Sequence, residues 1–253
     1  MGDDGMNSAI LSFGAGVNST ALAILLINGG WKGEIVFSDT GCEWPDTYCF
    51  MTYFENEWLR PRGFQIVGLK GMPWHRKGKH LEIMGCSLIE YCEAAHVIPL
   101  AAMRWCTSEW KVRPLQRYQD GQTTMLGIAA DEAHRQGDAI RPLVEWGIGR
   151  QDCVDIIAAE GLPIPRKSGC YICTFQGNTQ WRELWERHPK LFDRAMRLEE
   201  GTAGSKSARW NTTLDPHGKI TLRMRKLSYE SQMVLPEIDM DALLAYRPCV
   251  CGI

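Results

Sequence analysis

The stretch that most constrains this chain is Ser12-Phe-Gly-Ala-Gly-Val-Asn-Ser-Thr20. A short apolar run, Ala9-Ile-Leu11, precedes it, and a longer apolar run of helical character, Ala21-Leu-Ala-Ile-Leu-Leu-Ile27, follows. That order predicts a strand, a small-residue turn and a helix. Gly14 and Gly16 let the backbone take conformations closed to other residues and approach a ligand closely. Ser12, Asn18 and Ser19 add side-chain donors where the new helix has unpaired N–H groups, and such a helix start suits a phosphate or sulfate group. The alternative is an ordinary tight turn with an N-cap. The stretch is not a Walker A loop, because no Gly-Lys-Ser/Thr follows the glycines. It is not the dinucleotide fingerprint either, since Ser19 or Thr20 holds the third glycine position.

The pattern then repeats. The helix is expected to stop near Asn28-Gly-Gly30, and Glu34–Ser38 reads as a second strand. Pro45 suits the first turn of a helix from about Trp44 to Arg60, and Gly63-Phe-Gln-Ile-Val67 reads as a third strand. Strands alternating with helices at this spacing imply right-handed βαβ units and a parallel sheet. Ligands of such sheets sit beyond the C-terminal ends of the strands. Ser12–Ser19 and Asp39-Thr-Gly41 both fall at that edge. Asp39 is expected to contact ribose or adenine or to coordinate Mg²⁺ near phosphates. The alternative is a turn-forming Asp before Gly. Glu43 reads as a nucleotide contact or as a helix N-terminal charge.

Lys70, His75, Arg76, Lys77, Lys79 and His80 form a basic cluster with Trp74. They read as a loop that contacts phosphates and a base or as a solvated loop. A helix over Leu88–His96 follows. Thr123–Ala130 reads as a strand ending at Asp131-Glu-Ala-His-Arg135. There Arg135 can hold a phosphate or sulfate as a fork, Asp131 and Glu132 can bind Mg²⁺ or orient Arg135, and His134 reads as a structural partner. A helix from about Gly149 to Glu160 is expected to bury Val154, Ile157, Ala158 and Cys153. Gln180–His188 predicts an amphipathic helix with Trp181, Leu184 and Trp185 on one side. Pro189 opens the next helix, with Leu191, Ala195 and Leu198 inward. Gly201–Ser207 reads as a linker. His217–Lys226 alternates apolar and basic residues, as an edge strand or a surface for a polyanion.

The chain has 253 residues and ten cysteines. That many cysteines in a chain without a signal-peptide pattern point to metal binding or redox chemistry rather than a disulfide framework. The sharpest signal is Ser168-Gly-Cys-Tyr-Ile-Cys173, because a Cys-x-x-Cys turn lets two thiolates point at one ion. Cys106 is the natural third ligand. The fourth is Cys249 or Cys251. Cys42, Cys49, Cys86 and Cys92 are expected to be mostly buried small apolar residues. A net charge of −2 advertises no general polyanion binding. The N-terminus carries no signal peptide and no segment is long and apolar enough for a membrane, so a cytoplasmic location is expected.

Five motifs in register carry a family resemblance. They are Ser12–Thr20, Asp39-Thr-Gly-Cys-Glu-Trp-Pro-Asp-Thr-Tyr48, Cys106-Thr-x-x-x-Lys111, Gly127-Ile-x-x-Asp-Glu-x-x-Arg135 and Ser168-Gly-Cys-x-x-Cys173. Together they resemble the phosphoadenylyl-sulfate (PAPS) reductase-like branch of the adenine-nucleotide alpha-hydrolase, or PP-loop, superfamily. The resemblance implies an α/β, Rossmann-like parallel sheet with a PP-loop over residues 1–165 and a helical, cysteine-rich part over 166–253. It implies a nucleotide site of Ser12, Phe13, Gly14, Gly16, Asn18, Ser19, Asp39 and Gly127. Asp131, Arg135 and Lys111 are its implied catalytic residues. It favours a [4Fe–4S] cluster on Cys106, Cys170, Cys173 and Cys251, with zinc as the alternative.

The implied reaction is ATP-dependent sulfur transfer, with an adenine nucleotide, a nucleic acid acceptor, a sulfur-donor protein and a homodimeric partner as compatible partners. The alternatives are a sulfonucleotide reductase and a zinc-stapled nucleotide-binding subunit. Three departures bear on that choice. Asn18 stands where the family loop has Asp, Trp105 precedes Cys106 where cluster-containing reductases have a second Cys, and Cys251-Gly-Ile253 replaces the reductases' C-terminal Glu-Cys-Gly-x-His.

Overall fold

The computed structural model describes residues 9–71, 86–101, 103–135, 139–202 and 220–231. In chain order these form β1 (Ile10–Ser12), α1 (Val17–Asn28), β2 (Ile35–Asp39), α2 (Pro45–Phe54), β3 (Ile66–Lys70), α3 (Leu88–Ala95), α4 (Arg113–Gln119), β4 (Thr124–Leu126), α5 (Pro142–Glu145), α6 (Arg150–Ala159), α7 (Asn178–Arg187), α8 (Pro189–Gly201) and α9 (Leu222–Ser231). The α2 helix runs on through a π-helical turn, Glu55–Leu59, and a 3₁₀ turn, Arg60–Arg62. A second π-helical turn, Ser108–Val112, leads into α4.

The strands make one parallel sheet in the order β3-β2-β1-β4. The chain winds outward from β1 to β2 and β3, then returns to place β4 on the other side of β1. The switch point lies between the ends of β1 and β4, where a parallel sheet opens a crevice for ligands.

Strand pleating divides the core. Leu11, Ile35 and Met125 share one face with α1, α6 and the aromatic residues of α2, while Ile10, Val36 and Leu115 of α4 pack on the other. The continuous apolar run of α1 is explained by its burial, since every residue from Val17 to Ile24 is inaccessible or nearly so. Phe54 stacks on Phe13, Phe50 and Trp58, with centroids 5.3–5.8 Å apart.

The chain divides into two compact units. One takes the described residues of Met1–Gly85 and Ser108–Gly169, the other those of Cys86–Thr107 and Cys170–Gly252. The second unit is therefore not the simple 166–253 segment expected from the sequence. Residues of 86–107 join it because α3 packs on α8, where the Arg194 guanidinium grips Glu93 with two 2.7 Å bonds.

Several local expectations are corrected. The third strand starts three residues later than its predicted first residue, Gly63, which instead takes a left-handed conformation that ends the preceding turn. The fourth strand stops at Leu126 rather than Ala130. Cys49 is exposed, not buried, and Ala158 faces solvent while Cys153 and Ile157 face inward. Over Leu222–Lys226 the chain is helical rather than an edge strand, since Leu222 and Arg225, three positions apart, are both buried. The basic cluster after Lys70, most of the 201–207 linker, Cys249 and Cys251 lie outside the described residues.

Candidate functional site

The Ser12–Thr20 loop leaves β1 at the switch point. The Phe13 side chain is 2% exposed and anchors the loop in the aromatic core. The special conformation expected at Gly14 or Gly16 falls instead on Ala15, at φ 54°. The loop closes on the Ser19 hydroxyl, which accepts from Gly14 N–H (3.2 Å) and Gly16 N–H (3.3 Å). The same hydroxyl lies 3.1 Å from Gly16 O as a donor, and Thr20 Oγ1 donates to that carbonyl at 2.9 Å. Two loop amides thus converge on one oxygen at the start of α1, where the helix dipole favours negative charge.

The neighbouring strand completes the floor. A Cβ on Gly127 would fall 2.6 Å from Ser19 Cα and 2.7 Å from Ser19 N. Gly127 is therefore a close-approach glycine that lets the end of β4 lie against the loop helix. Beyond it, the short helical turn Ala130–Glu132 carries Asp131, whose Oδ1 accepts from Arg150 N–H at 3.1 Å. Arg135 is held by Glu132 at 3.1 Å, and its carbonyl accepts from Arg141 at 2.6 Å. His134 is exposed.

Asp39 ends β2 at the same edge. Its Oδ1 accepts from Gly41 N–H (2.8 Å) and from the Tyr48 hydroxyl (2.6 Å). Burial, then the bond to Asp39, pushes the Tyr48 phenol well above its ordinary value, so it stays a neutral donor. These two donors fix the carboxylate's orientation through one oxygen. Glu43, 3% exposed, is not a solvated helix charge: it pairs with Lys111 at 3.2 Å, and Thr40 Oγ1 lies 3.3 Å away. Lys111 reaches this edge from the π-helical turn, where its carbonyl accepts from Ser38 Oγ at 3.2 Å. That turn is set by Trp110, which is fully buried, and a Cβ on Gly71 would meet its ring at 2.1 Å.

Sequence reasoning missed Arg150. Its guanidinium comes within 3.4 Å of Asn18 Oδ1 from 132 positions away. The signal was the loop itself, which has Asn at position 18 and no Lys or Arg between Ser12 and Thr20. Any cation for an anionic ligand must come from another element.

In the second unit, Cys170 O accepts from Cys173 N–H at 3.0 Å, closing the Cys-x-x-Cys turn, and the Gln176 amide braces it by donating to Tyr171 O at 2.8 Å. Among the described residues, no three His, Cys, Asp or Glu side chains form a metal-ligand group. Also among these residues, no helix is long and apolar enough to cross a membrane.

The fold and loop define an α/β protein with a glycine-containing strand-to-helix turn at the sheet's switch point. No protein-family model matches the chain, and no curated protein matches it. Among solved structures the chain is similar to the phosphoadenylyl-sulfate (PAPS) reductase of Candida auris, determined as a phosphate complex. The identity is 15%, over 63% of this chain and 80% of that one, with a TM-score of 0.41.

Proposed function

We propose that this chain is a PAPS reductase-like PP-loop enzyme that binds an adenine nucleotide at the β1–β4 switch point and uses it in sulfur transfer. The observation that carries the reading is the convergence of Gly14 N–H and Gly16 N–H on Ser19 Oγ at the start of α1, with Gly127 packed beneath. In this reading the loop takes a phosphate or sulfate group, and Asp39 accepts from the ribose or adenine. Arg135 holds the anionic end of the substrate. Lys111 contributes positive charge at the β2 edge, tempered by its pairing with Glu43. Asp131 is positioned to hold the N-terminus of α6 and is the carboxylate for any Mg²⁺.

The cysteines belong to the proposal as sulfur or metal ligands. The Cys170–Cys173 turn would supply two thiolates of a [4Fe–4S] cluster or zinc site, with Cys106 and Cys251 as the further ligands. Such a cluster supplies redox or sulfur-carrying chemistry when bound.

A second reading, a sulfonucleotide reductase, is favoured by Asn18. An amide facing Arg150 replaces the family carboxylate, which suits nucleotide binding without metal-assisted ATP cleavage.

Binding of ATP to wild type, Ser19→Ala and Arg135→Ala tests the site: both variants should bind at least tenfold more weakly, and equal binding by all three overturns it. Release of AMP and pyrophosphate separates ATP-dependent transfer from the reductase reading. Iron, zinc and acid-labile sulfide on anaerobically purified protein decide the cysteine assignment.

A further inference from the structure

The Ser168 hydroxyl faces the glycines of the loop. A Cβ on Gly16 would lie 2.8 Å from Ser168 Oγ, and one on Gly14 would lie 3.9 Å from it, the same distance as from Ser19 Oγ. The two hydroxyls therefore bracket the loop from opposite ends of the chain's order, 149 positions apart (168 − 19). The segment holding Ser168 is pinned to the start of α2. Gly169 O accepts from Trp44 N–H at 3.2 Å. Arg166 lies 3.6 Å over the Trp44 ring and pairs with Asp46 at 3.2 Å.

Ser168 is half-buried and has no hydrogen-bond partner among the described residues. A methyl group would pack against Gly16 equally well, so contact alone does not account for a hydroxyl here. Its Oγ is not among the buried polar atoms that lack a partner, so the hydroxyl is open to a bound acceptor.

We propose that Ser168 is a ligand-binding residue of the nucleotide site, donating to the phosphate or sulfate group seated on the loop. The proposal rests on the nucleotide reading above. It names the ligand class more closely: an adenine nucleotide whose tetrahedral oxyanion meets the neutral Ser168 hydroxyl and would share the Gly14 and Gly16 amides with Ser19 Oγ, their acceptor in this structure. Hydrogen bonds from such donors to an ionised oxygen are stronger than neutral ones, and the contacts of Arg166 and Gly169 hold the segment that carries Ser168 in place before binding.

The test is equilibrium binding of ATP, adenosine 5′-phosphosulfate and adenosine to wild type, Ser168→Ala and Ser19→Ala. Ser168→Ala should lose about tenfold or more in affinity for the nucleotide the loop accepts, as expected for one hydrogen bond to a charged group, with adenosine unaffected. Loss for ATP alone identifies phosphate as the group held; loss for the phosphosulfate alone identifies sulfate. If Ser19→Ala weakens binding and Ser168→Ala does not, the Ser168 role is overturned and the site stands. An equal loss for adenosine marks a packing role and overturns it too. If wild type binds neither nucleotide, the site reading falls and the proposal with it.

Discussion

Gly127 lies against the backbone of Ser19 so closely that a single added carbon would come within 2.6 Å of Ser19 Cα. The obstacle is main chain at the start of a buried helix, so it cannot swing aside. Gly127→Ala is expected to destabilise the protein by about 1–3 kcal/mol, the usual cost of overpacking. Melting temperature should fall by several degrees. Nucleotide binding should fall further than the melt alone explains, because Ser19 is displaced from the loop amides.

Gly16 meets a side-chain oxygen instead, and this difference is testable. Gly16→Ala should be destabilising in the wild type, where the new carbon meets Ser168 Oγ at 2.8 Å. In a Ser168→Ala background much of that loss should disappear, since the remaining neighbour is 3.5 Å away. A double-mutant cycle on unfolding free energy reads the coupling directly.

The Glu43–Lys111 pair predicts an asymmetric response. Lys111→Met removes one cation from a carboxylate that is 1% exposed at its side chain. The stranded charge should cost about 1–3 kcal/mol or more. Adding Glu43→Gln should recover part of that loss. Chemical denaturation of the two single variants and the double variant checks the order.

Glu160 provides a pH-dependent staple. Its carboxylate takes Trp58 Nε1 at 2.8 Å, Asn28 Nδ2 at 2.9 Å and Arg62 at 3.5 Å. The bond from Trp58 first, then that from Asn28, holds its pKa below the ordinary 4.5. A depressed carboxylate stabilises the fold above that ordinary value, and the contribution is lost as pH falls through the lower, folded value. Glu160→Gln should be less stable than wild type at neutral pH, and the gap should close at acid pH below the folded value.

Arg150→Ala should weaken nucleotide binding and flatten its dependence on ionic strength, because the loop has no cation of its own. Binding titrations at low and high salt check this. Unchanged affinity and salt response would remove Arg150 from the site.

The elements readable in the sequence were those with local causes. The loop after β1, the buried helix behind it, Pro45 at the first turn of α2 and Pro189 at that of α8 follow from apolar runs, glycine and proline within a few residues. The alternation of such runs also implied the parallel sheet. Where a local pattern fitted two periods, it misled: Leu222–Lys226 alternates like a strand, yet burial of Leu222 and Arg225 on one side makes it a helix.

The sequence by itself determined the α/β class and the presence of a glycine-containing loop where a parallel sheet binds its ligands. Tertiary structure decided which residues surround that loop. Arg150 meets Asn18 across 132 positions and Lys111 meets Glu43 across 68. Ser168 faces Gly16 because Arg166 and Gly169 are held at Trp44. Such pairings depend on strand order and helix packing, to which residues far apart in the chain contribute jointly, and no local pattern of side chains encodes them. The same physics placed φ 54° on Ala15 rather than on either flanking glycine: Gly16 is needed for the space its missing side chain leaves to Ser168, a neighbour that exists only once the chain has folded.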